Sequence, residues 1–330
     1  MVKPIRLIDL GAIDGIMTQA VYHAVAEKMD ESTPDTIILN STKSPYVCFG
    51  YHQDAESVID LDVCRKLNVP AVRRKLGGGA TYLDENQLFY QLVFQKSELP
   101  ANFRNVYAKM LEAPVKTLKS FGLNAKLKDI NEIEVDGKRI AGTGGGQIGD
   151  ACVVVGNFLF DFDFEAMSSL WKAPWDSFRT LAGKALRNHI TTLWEYDSSF
   201  SKEIISSQLI IDFSAVFQRP IQPGELTSDE KELSEELSEK LSSTEFVVDT
   251  NKNGASPRPL KISNGVFIHA ENYSLGVNRI RGSFTVANNF IEESIIELRN
   301  GNLWEAIDVD LYGIEIADWT NHIKIELRAA

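Results

Sequence analysis

Cysteine is scarce in this chain, with Cys48, Cys64 and Cys152 the only three among 330 residues. An odd count without a CxxC pair argues against a disulfide framework and against a thiolate zinc site, and it suits a reducing compartment. Histidine is sparse too: His23, His52, His189, His269 and His322 form no HxxxH or HExxH pair, so no metal cage is readable. No window approaches the roughly 20 apolar residues of a membrane span. The opening MVKPIRLIDLGAIDG has neither a long apolar segment nor a small-residue cleavage pattern. The chain therefore reads as soluble and cytoplasmic, with no membrane partner. An excess of positive charge is also missing. Lys and Arg total 34 against 46 Asp and Glu, a net charge of −12, which argues against nucleic acid as a partner. A small anionic ligand stays open, because local charge decides that.

What is present is an ordinary globular mix, 44% apolar and 24% charged, long enough for one large domain and a smaller one. Residues 14–29 place Ile16, Ala20, Val21, Ala24 and Val25 on one helical face. Thr36–Leu39, Tyr46–Phe49 and Ala71–Arg74 read as short strands, Leu88–Phe94 and Cys152–Phe160 as strands buried on both faces, and 103–121 as an amphipathic helix. Asp136-Gly137 between Glu132–Val135 and Lys138–Ile140 is a hairpin signal. No regular βαβ rhythm is present, so the first 160 residues predict an α+β domain on a mostly antiparallel or mixed sheet. Thr227-Ser-Asp-Glu230 resembles a capping box, and Leu233, Leu237 and Leu241 mark one narrow apolar stripe on a surface helix. Nine acidic residues against two basic ones lie between Glu225 and Asp249, a solvated face by its pattern. The polar stretch 251–259 reads as a linker. Beyond it a βαβ-like module is expected, with strands at Gly265–Ala270 and Val277–Ile280 and a helix at Phe290–Arg299.

The most informative segment is Arg73-Arg74-Lys75-Leu76-Gly77-Gly78-Gly79-Ala80-Thr81-Tyr82-Leu83-Asp84. Three successive glycines inside a sheet domain cost backbone entropy without any packing return. They make sense where the backbone approaches a ligand closely. Three adjacent cations supply charge for a carboxylate or phosphate, and loop N–H groups can cradle an anion. The plain alternative is a hairpin loop with solubilising basic residues. Neither a GxGxxG helix opening nor a Walker Gly-Lys-Ser/Thr ending is present. A second cluster, Gly142-Thr143-Gly144-Gly145-Gly146, could contact another part of the same ligand or be a loop that a ligand orders.

RRKLGGGATYLD followed by NEIEVDGKRIAGTG resembles the lipoate–protein ligase A family of the biotin/lipoyl ligase superfamily. PYVCFGYHQ (45–53), KALRNHITTL (184–193) and the segment 262–303 are similar to further family segments, so the likeness runs nearly end to end. It implies a catalytic domain of the biotin/lipoyl ligase type over 1–250 and a small α+β accessory domain over 251–330. It also implies two-step acyl transfer. Lipoate or octanoate and ATP–Mg2+ form an acyl-adenylate, and the acyl group then passes to a lysine of a lipoyl carrier domain, such as a 2-oxoacid dehydrogenase subunit or glycine-cleavage H protein. On this likeness Arg73, Arg74, Gly77, Gly78 and Gly79 fall in the acyl and phosphate pocket, supported by Tyr82 and Asp84. Asn131 and Glu132 fall near the nucleotide phosphates and magnesium, with Glu132 the metal candidate, and Gly142 and Thr143 fall in the second glycine segment.

Val72, Leu76 and Phe89 are acyl-tunnel candidates on the same likeness, or plain core. Three positions depart from the family pattern. Arg139 stands where the family has its key lysine, with Lys138 beside it on the alternate strand face; Val155 stands for a histidine; Glu132 replaces Asp, with Gln87 near a family Asn. Two other functions compete with the ligase: an ATP-independent transferase working through a thioester, and a non-catalytic lipoyl-binding relative. LKDINEI holds no cysteine where some transferases of the family carry one. Cys48 and Cys152 read as structural.

Overall fold

The computed structural model describes residues 3–248 and 259–329. The chain opens with strand β1 (Ile5–Ile13), helix α1 (Gly15–Glu27), whose first turn is capped by Asp14, and strand β2 (Thr36–Thr42). Strands β3 (Tyr46–Phe49), β4 (Ala71–Arg73) and β5 (Thr81–Leu83) make a small sheet in the order β4-β3-β5, with short helices α2 (Ala55–Val58) and α3 (Leu61–Lys66) between β3 and β4. Strand β6 (Gln87–Gln95) follows, buried at every position. Helices α4 (Phe103–Met110) and α5 (Glu112–Ser120) lead to β7 (Ala125–Lys128), β8 (Glu132–Val135), β9 (Lys138–Ile148) and β10 (Ala151–Leu159). The amphipathic stretch 103–121 is thus two helices that meet at Leu111.

After α6 (Phe164–Leu170), α7 (Asp176–His189), α8 (Leu193–Tyr196) and α9 (Lys202–Phe217) comes a short edge strand, β11 (Ile221–Pro223). One eight-stranded sheet results, in the order β11-β1-β2-β6-β10-β9-β8-β7. Strand β1 runs parallel to β11 and β2, and the other pairs are antiparallel. The mixed sheet expected from the absence of βαβ rhythm is present. One sheet face packs Leu88, Tyr90, Leu92, Cys152, Val154 and Phe158 against Val106, Met110, Leu118, Leu209 and Phe213 of the helices. The other packs Ile38, Val93 and Val153 under Val21, Tyr22 and Val25 of α1.

The acidic stretch forms α10 (Ser228–Ser242) and the short α11 (Thr244–Val247). Thr227 and Glu230 make the capping box reciprocally. Leu237 and Leu241 are buried among Ala20 and Ala24 of α1, Val72 and Phe89, with Leu233 packed at the edge. Glu230 does more than cap the helix. Its buried carboxylate also takes both guanidinium nitrogens of Arg6, at 2.6 and 3.0 Å, and Arg6 Nε donates to Thr36 Oγ1 at 3.0 Å. The stretch 251–259, read as a linker, lies outside the described residues up to 258.

Residues 164–189 and 259–329 form a compact unit separate from residues 3–163 and 190–248. Its sheet is β12 (Leu260–Ser263), β13 (Val266–Leu275), β14 (Asn278–Ala287), β15 (Phe290–Asn300) and β16 (Leu303–Ile307), antiparallel throughout and in sequence order. Helix α12 (Trp319–Ala329) closes it. The expectation of a βαβ-like module with a helix at Phe290–Arg299 is therefore corrected. Glu292, Glu293 and Glu297 suggest a helix, and Ile291, Ile295 and Leu298 satisfy helical spacing. Asn288 and Asn289, both at positive φ, instead form a tight hairpin turn, and pairing with β14 overrides local preference. Arg281 ties α7 into this unit. It lies over the rings of Trp175 and Trp304 and makes a two-point ion pair with Glu297, which also accepts from Ser177.

Removing one partner of a buried ion pair leaves the other charge unsatisfied. Glu230→Ala is therefore expected to destabilise the larger unit by about 3–5 kcal/mol, well beyond the ~1 kcal/mol of Thr227→Ala, which removes a cap alone. Urea unfolding of the two variants checks the order.

Candidate active site

Register across the sheet defines the floor of the site. On the face covered by α1, Asn40, Phe89 and Asn157 lie in one row, Ile38, Gln91, Val155 and Gly144 in the next, and Thr36, Val93, Val153 and Gly146 in a third. Helix α1 covers the β2–β6 side of this floor, where Gln91 Nε2 donates to the Thr18 carbonyl at 2.7 Å. The β9 side is covered by the loop after Arg74. A Cβ on Gly144 would touch the Gly77 carbonyl at 3.7 Å, and one on Gly146 would press on Leu76 at 3.1 Å. The two glycine clusters therefore face each other. The second is a strand segment paired to β10, not a separate loop, and its bare backbone lets the first settle on it.

Arg74 shapes the first loop. Its guanidinium donates to the carbonyls of Gly77 (Nη2, 2.9 Å) and Gly79 (Nη2, 2.8 Å), and Nη1 lies 3.6 Å from the Cys48 sulfur. Gly78 has φ +111°, and a Cβ there would meet Arg74 Nη2 at 2.6 Å, so this position requires glycine. Gly50 is equally constrained: any side chain would run into the Gly78 carbonyl. The main chain continues the clasp through Tyr51 N to Leu76 O at 2.9 Å and Arg74 N to Phe49 O at 3.1 Å.

Arg73 turns the other way. It is buried, lies over the Phe49 ring, and donates to the carbonyls of Tyr51, Gln53, Phe246 and Val247 at 2.6–2.9 Å. It thus anchors the loop to α11. Lys75 pairs with Glu27, and its N–H donates to His23 Nε2 at 3.3 Å. Burial and the neighbouring Lys75 and Arg74 push the His23 imidazole down to about 3, so it is a neutral acceptor. Tyr82 and Asp84 sit at the loop's far end, both buried, with Asp84 Oδ1 accepting from Asn86 N at 3.0 Å.

Hairpin β8–β9 brings the remaining candidates together. Asn131 Nδ2 donates to the Thr143 carbonyl at 3.4 Å, and the Thr143 hydroxyl donates back to the Asn131 carbonyl. A register shift follows Ile133↔Ala141, so that Glu134 faces Arg139. Ile140 and Ala141 both enter the core, and Arg139 thereby comes to the face of Gly142. Burial lowers the Arg139 guanidinium, and the Glu132 carboxylate opposes this. Lys138 closes the hairpin opposite Val135. Val72, Leu76 and Phe89 are all buried. Leu76 packs with Val153 and Val93, whereas Val72 and Phe89 pack with Ala20, Tyr46 and Leu83.

Sequence reasoning missed three contributors. His23 fixes the Lys75 amide. Tyr107 of α4 sits under Gly145, where a Cβ would come to 2.9 Å of its hydroxyl. Asn157 accepts from Gly142 N at 3.0 Å. A lone polar residue in an apolar strand, as in CVVVGNFLF, was the available signal for Asn157. Among the described residues no group of three or more His, Cys, Asp or Glu is placed to hold a metal ion, and no helix is long and apolar enough to cross a membrane.

Burial pushes the Asp84 carboxyl up to about 6, with Glu85 and Asp161 adding to it and the Asn86 and Gln87 hydrogen bonds opposing it. An acid whose folded pKa is raised binds its proton more tightly when folded, so stability falls as pH rises from about 4 to about 6 and levels off above. Asp84→Asn removes that loss. Its melting temperature is expected to exceed wild type at pH 8, with the gap closing below pH 4; calorimetry across pH 3.5–8 checks this.

The model of the lipoyl protein ligase A/B catalytic domain matches residues 14–214. Lipoate-protein ligase A subunit 1 of Thermoplasma acidophilum is 27% identical, over 60% of this chain and 79% of its own length. Octanoyltransferase LipM of Kyrpidia tusciae is 25% identical, over 73% and 97%. Among solved structures, the bi-partite lipoate protein ligase of Thermoplasma acidophilum superposes with a TM-score of 0.68 at 24% identity, covering 75% of this chain and 96% of that one. Lipoate-protein ligase A bound with ATP superposes at 0.64 with 23% identity, covering 75% and 99%. The expected α+β fold class is the observed one, and the chain belongs to the lipoyl protein ligase A/B catalytic domain family.

Proposed function

We propose that this protein is an ATP-dependent lipoate–protein ligase, activating lipoate or octanoate as an acyl-adenylate and passing it to a lysine of a lipoyl carrier domain. The state of its cysteines carries this reading over a thioester route. All three are buried. Burial raises the Cys48 thiol and pushes Cys64 and Cys152 up to about 11. A thioester transferase needs a thiolate near neutral pH, and each of these thiols is held in the opposite state. Adenylation asks mainly for positioning and for charge stabilisation at phosphate, which cations and backbone amides supply. The relative solved with ATP and the ligase described with its E2 lipoyl domain support the nucleotide and the carrier partner.

In this reading the acyl carboxylate attacks the α-phosphorus of ATP and pyrophosphate leaves. The carrier lysine amine then attacks the acyl carbonyl, and AMP leaves. Arg74 and Gly77–Gly79 hold the acid and the α-phosphate. Asn131, Gly142 and Thr143 line the phosphate side. Arg139, with Lys138 next to it, neutralises charge developing between phosphate and carbonyl. Arginine presents a planar fork on a longer arm than lysine, so its contact there is two-pointed. Magnesium commonly takes one or two carboxylates and completes its shell with phosphate and water. The buried Glu132 carboxylate, beside Arg139, would hold such an ion, which would supply charge neutralisation at the phosphates.

The LipM relatives, matched over 97% of their length, make carrier-to-carrier transfer the second reading. The deciding assay follows acceptor mass and pyrophosphate with apo lipoyl domain, lipoate or octanoate, and ATP–Mg2+. A second arm supplies octanoyl-carrier donor without ATP. Acylation confined to the ATP arm is expected. Acylation in the donor arm alone shows the transferase, and none in either shows a binding relative. Arg74→Ala is expected to lower acylation at least ~100-fold, and Arg139→Ala by about 10²–10³ with Arg139→Lys retaining turnover.

A further inference from the structure

We infer that Asn157, held in place by Gln87, is the wedge that parts β9 from β10 beyond Thr143 and so sets where Arg139 stands. It is a positioning residue for the acyl transfer, and it rests on the ligase reading for its chemistry but not for its geometry. Main-chain pairing between β9 and β10 runs from Ala151↔Ile148 to Gly156↔Thr143 and stops there. Strand β10 does not end at that point. It stays paired with β6 for three more residues, through Leu159↔Gln87. Strand β9 is therefore the one that leaves. At the fork the Asn157 side chain replaces the ladder, its Oδ1 accepting from Gly142 N at 3.0 Å.

The wedge is fixed from behind. Asn157 Nδ2 donates to Gln87 Oε1 at 2.6 Å, and Gln87 Nε2 donates to the Tyr82 carbonyl at 3.2 Å and to Asp84 Oδ1 at 3.4 Å. Gln87 is fully buried and Asn157 nearly so. One chain of side-chain amides thus runs from the end of the first glycine loop, across β6 and β10, to the first residue of the second glycine cluster. Beyond the fork, β9 turns to other partners. Its register with β8 shifts before Arg139, and the Arg139 carbonyl accepts from Thr191 N at 2.9 Å. Gly142 is half-buried, and an N–H shielded from water and left without an acceptor costs up to about 1–3 kcal/mol. Without the Asn157 oxygen, Gly142 recovers a protein acceptor by closing back onto β10 beyond the Gly156↔Thr143 pair, which carries Arg139 with it.

The test uses the full chain, with Asn157→Leu, Gln87→Leu and the double variant. Two readouts are taken: kinetics of ATP-dependent carrier acylation, and amide hydrogen exchange at Gly142 and Thr143. Each single variant is expected to lower kcat about 100-fold, the scale of an ångström-sized misplacement, with KM for acid and ATP within threefold. The double is expected to be no worse than the poorer single, because one chain broken twice is broken once. Exchange at Gly142 rises at least tenfold while that of Val154, inside the β10 ladder, does not move. Where Asn157→Leu does not fold, Asn157→Ser, too short to bridge Gly142 and Gln87, carries the same readouts. A kcat within threefold of wild type, additive losses, or unchanged Gly142 exchange overturns the wedge. If the wild type acylates nothing, the ligase reading falls and the exchange result alone decides the inference.

Discussion

The site depends on one close approach of backbone to backbone. The Gly77 carbonyl lies over Gly144, Leu76 lies over Gly146, and Gly78 fills the space that Gly50 leaves open. At Gly50 a Cβ would meet the Gly78 carbonyl at 2.2 Å, so that approach requires glycine, whereas one at Gly146 would press on the Leu76 side chain at 3.1 Å and one at Gly144 would reach the Gly77 carbonyl only at 3.7 Å. The Arg74 guanidinium then binds the carbonyls of Gly77 and Gly79 and turns a flexible triplet into a fixed loop. A preorganised loop loses little entropy when a ligand binds, and its charge is already in place.

That loop is held from every side by groups committed to partners within the protein. Arg73 uses its whole fork on four main-chain carbonyls and joins the loop to α11. His23, neutral because two cations flank it in a buried position, accepts from the Lys75 amide. Of the three adjacent cations, one anchors, one shapes the loop, and one pairs with Glu27. The acidic helix α10 belongs to the same scaffold. Its leucines cover α1, and Glu230 satisfies a helix cap and Arg6 together. The net charge of −12 is therefore gathered partly on a docked helix.

How far local patterning reaches is visible in particular residues. The Asp136-Gly137 hairpin, the Thr227–Glu230 capping box and the buried strand read at Leu88–Phe94, observed as Gln87–Gln95, follow from turn chemistry and a continuous apolar run. Phe290–Asn300 does not, because its isoleucines satisfy helical and strand spacing alike and only pairing with Asn278–Ala287 chooses between them. The second glycine cluster reads as a loop by composition. It is a strand because Ala151–Gly156 supplies a full ladder of hydrogen bonds.

The amino-acid sequence by itself determined the glycine triplet, its cations, the second glycine run and the hairpin between Glu132 and Lys138, and with them the family. These are local signals, set by backbone freedom and charge within a dozen residues. Tertiary structure alone decided that the two glycine runs touch, that Arg73 and Arg74 point to different tasks, and that a register shift brings Arg139 to the face of Gly142. It also decided that Asn157, Gln87 and Asp84 form one hydrogen-bonded line. Each of these depends on which strand lies beside which. Strand register is fixed by long-range pairing, and a one-residue slip reverses every side chain on the sheet.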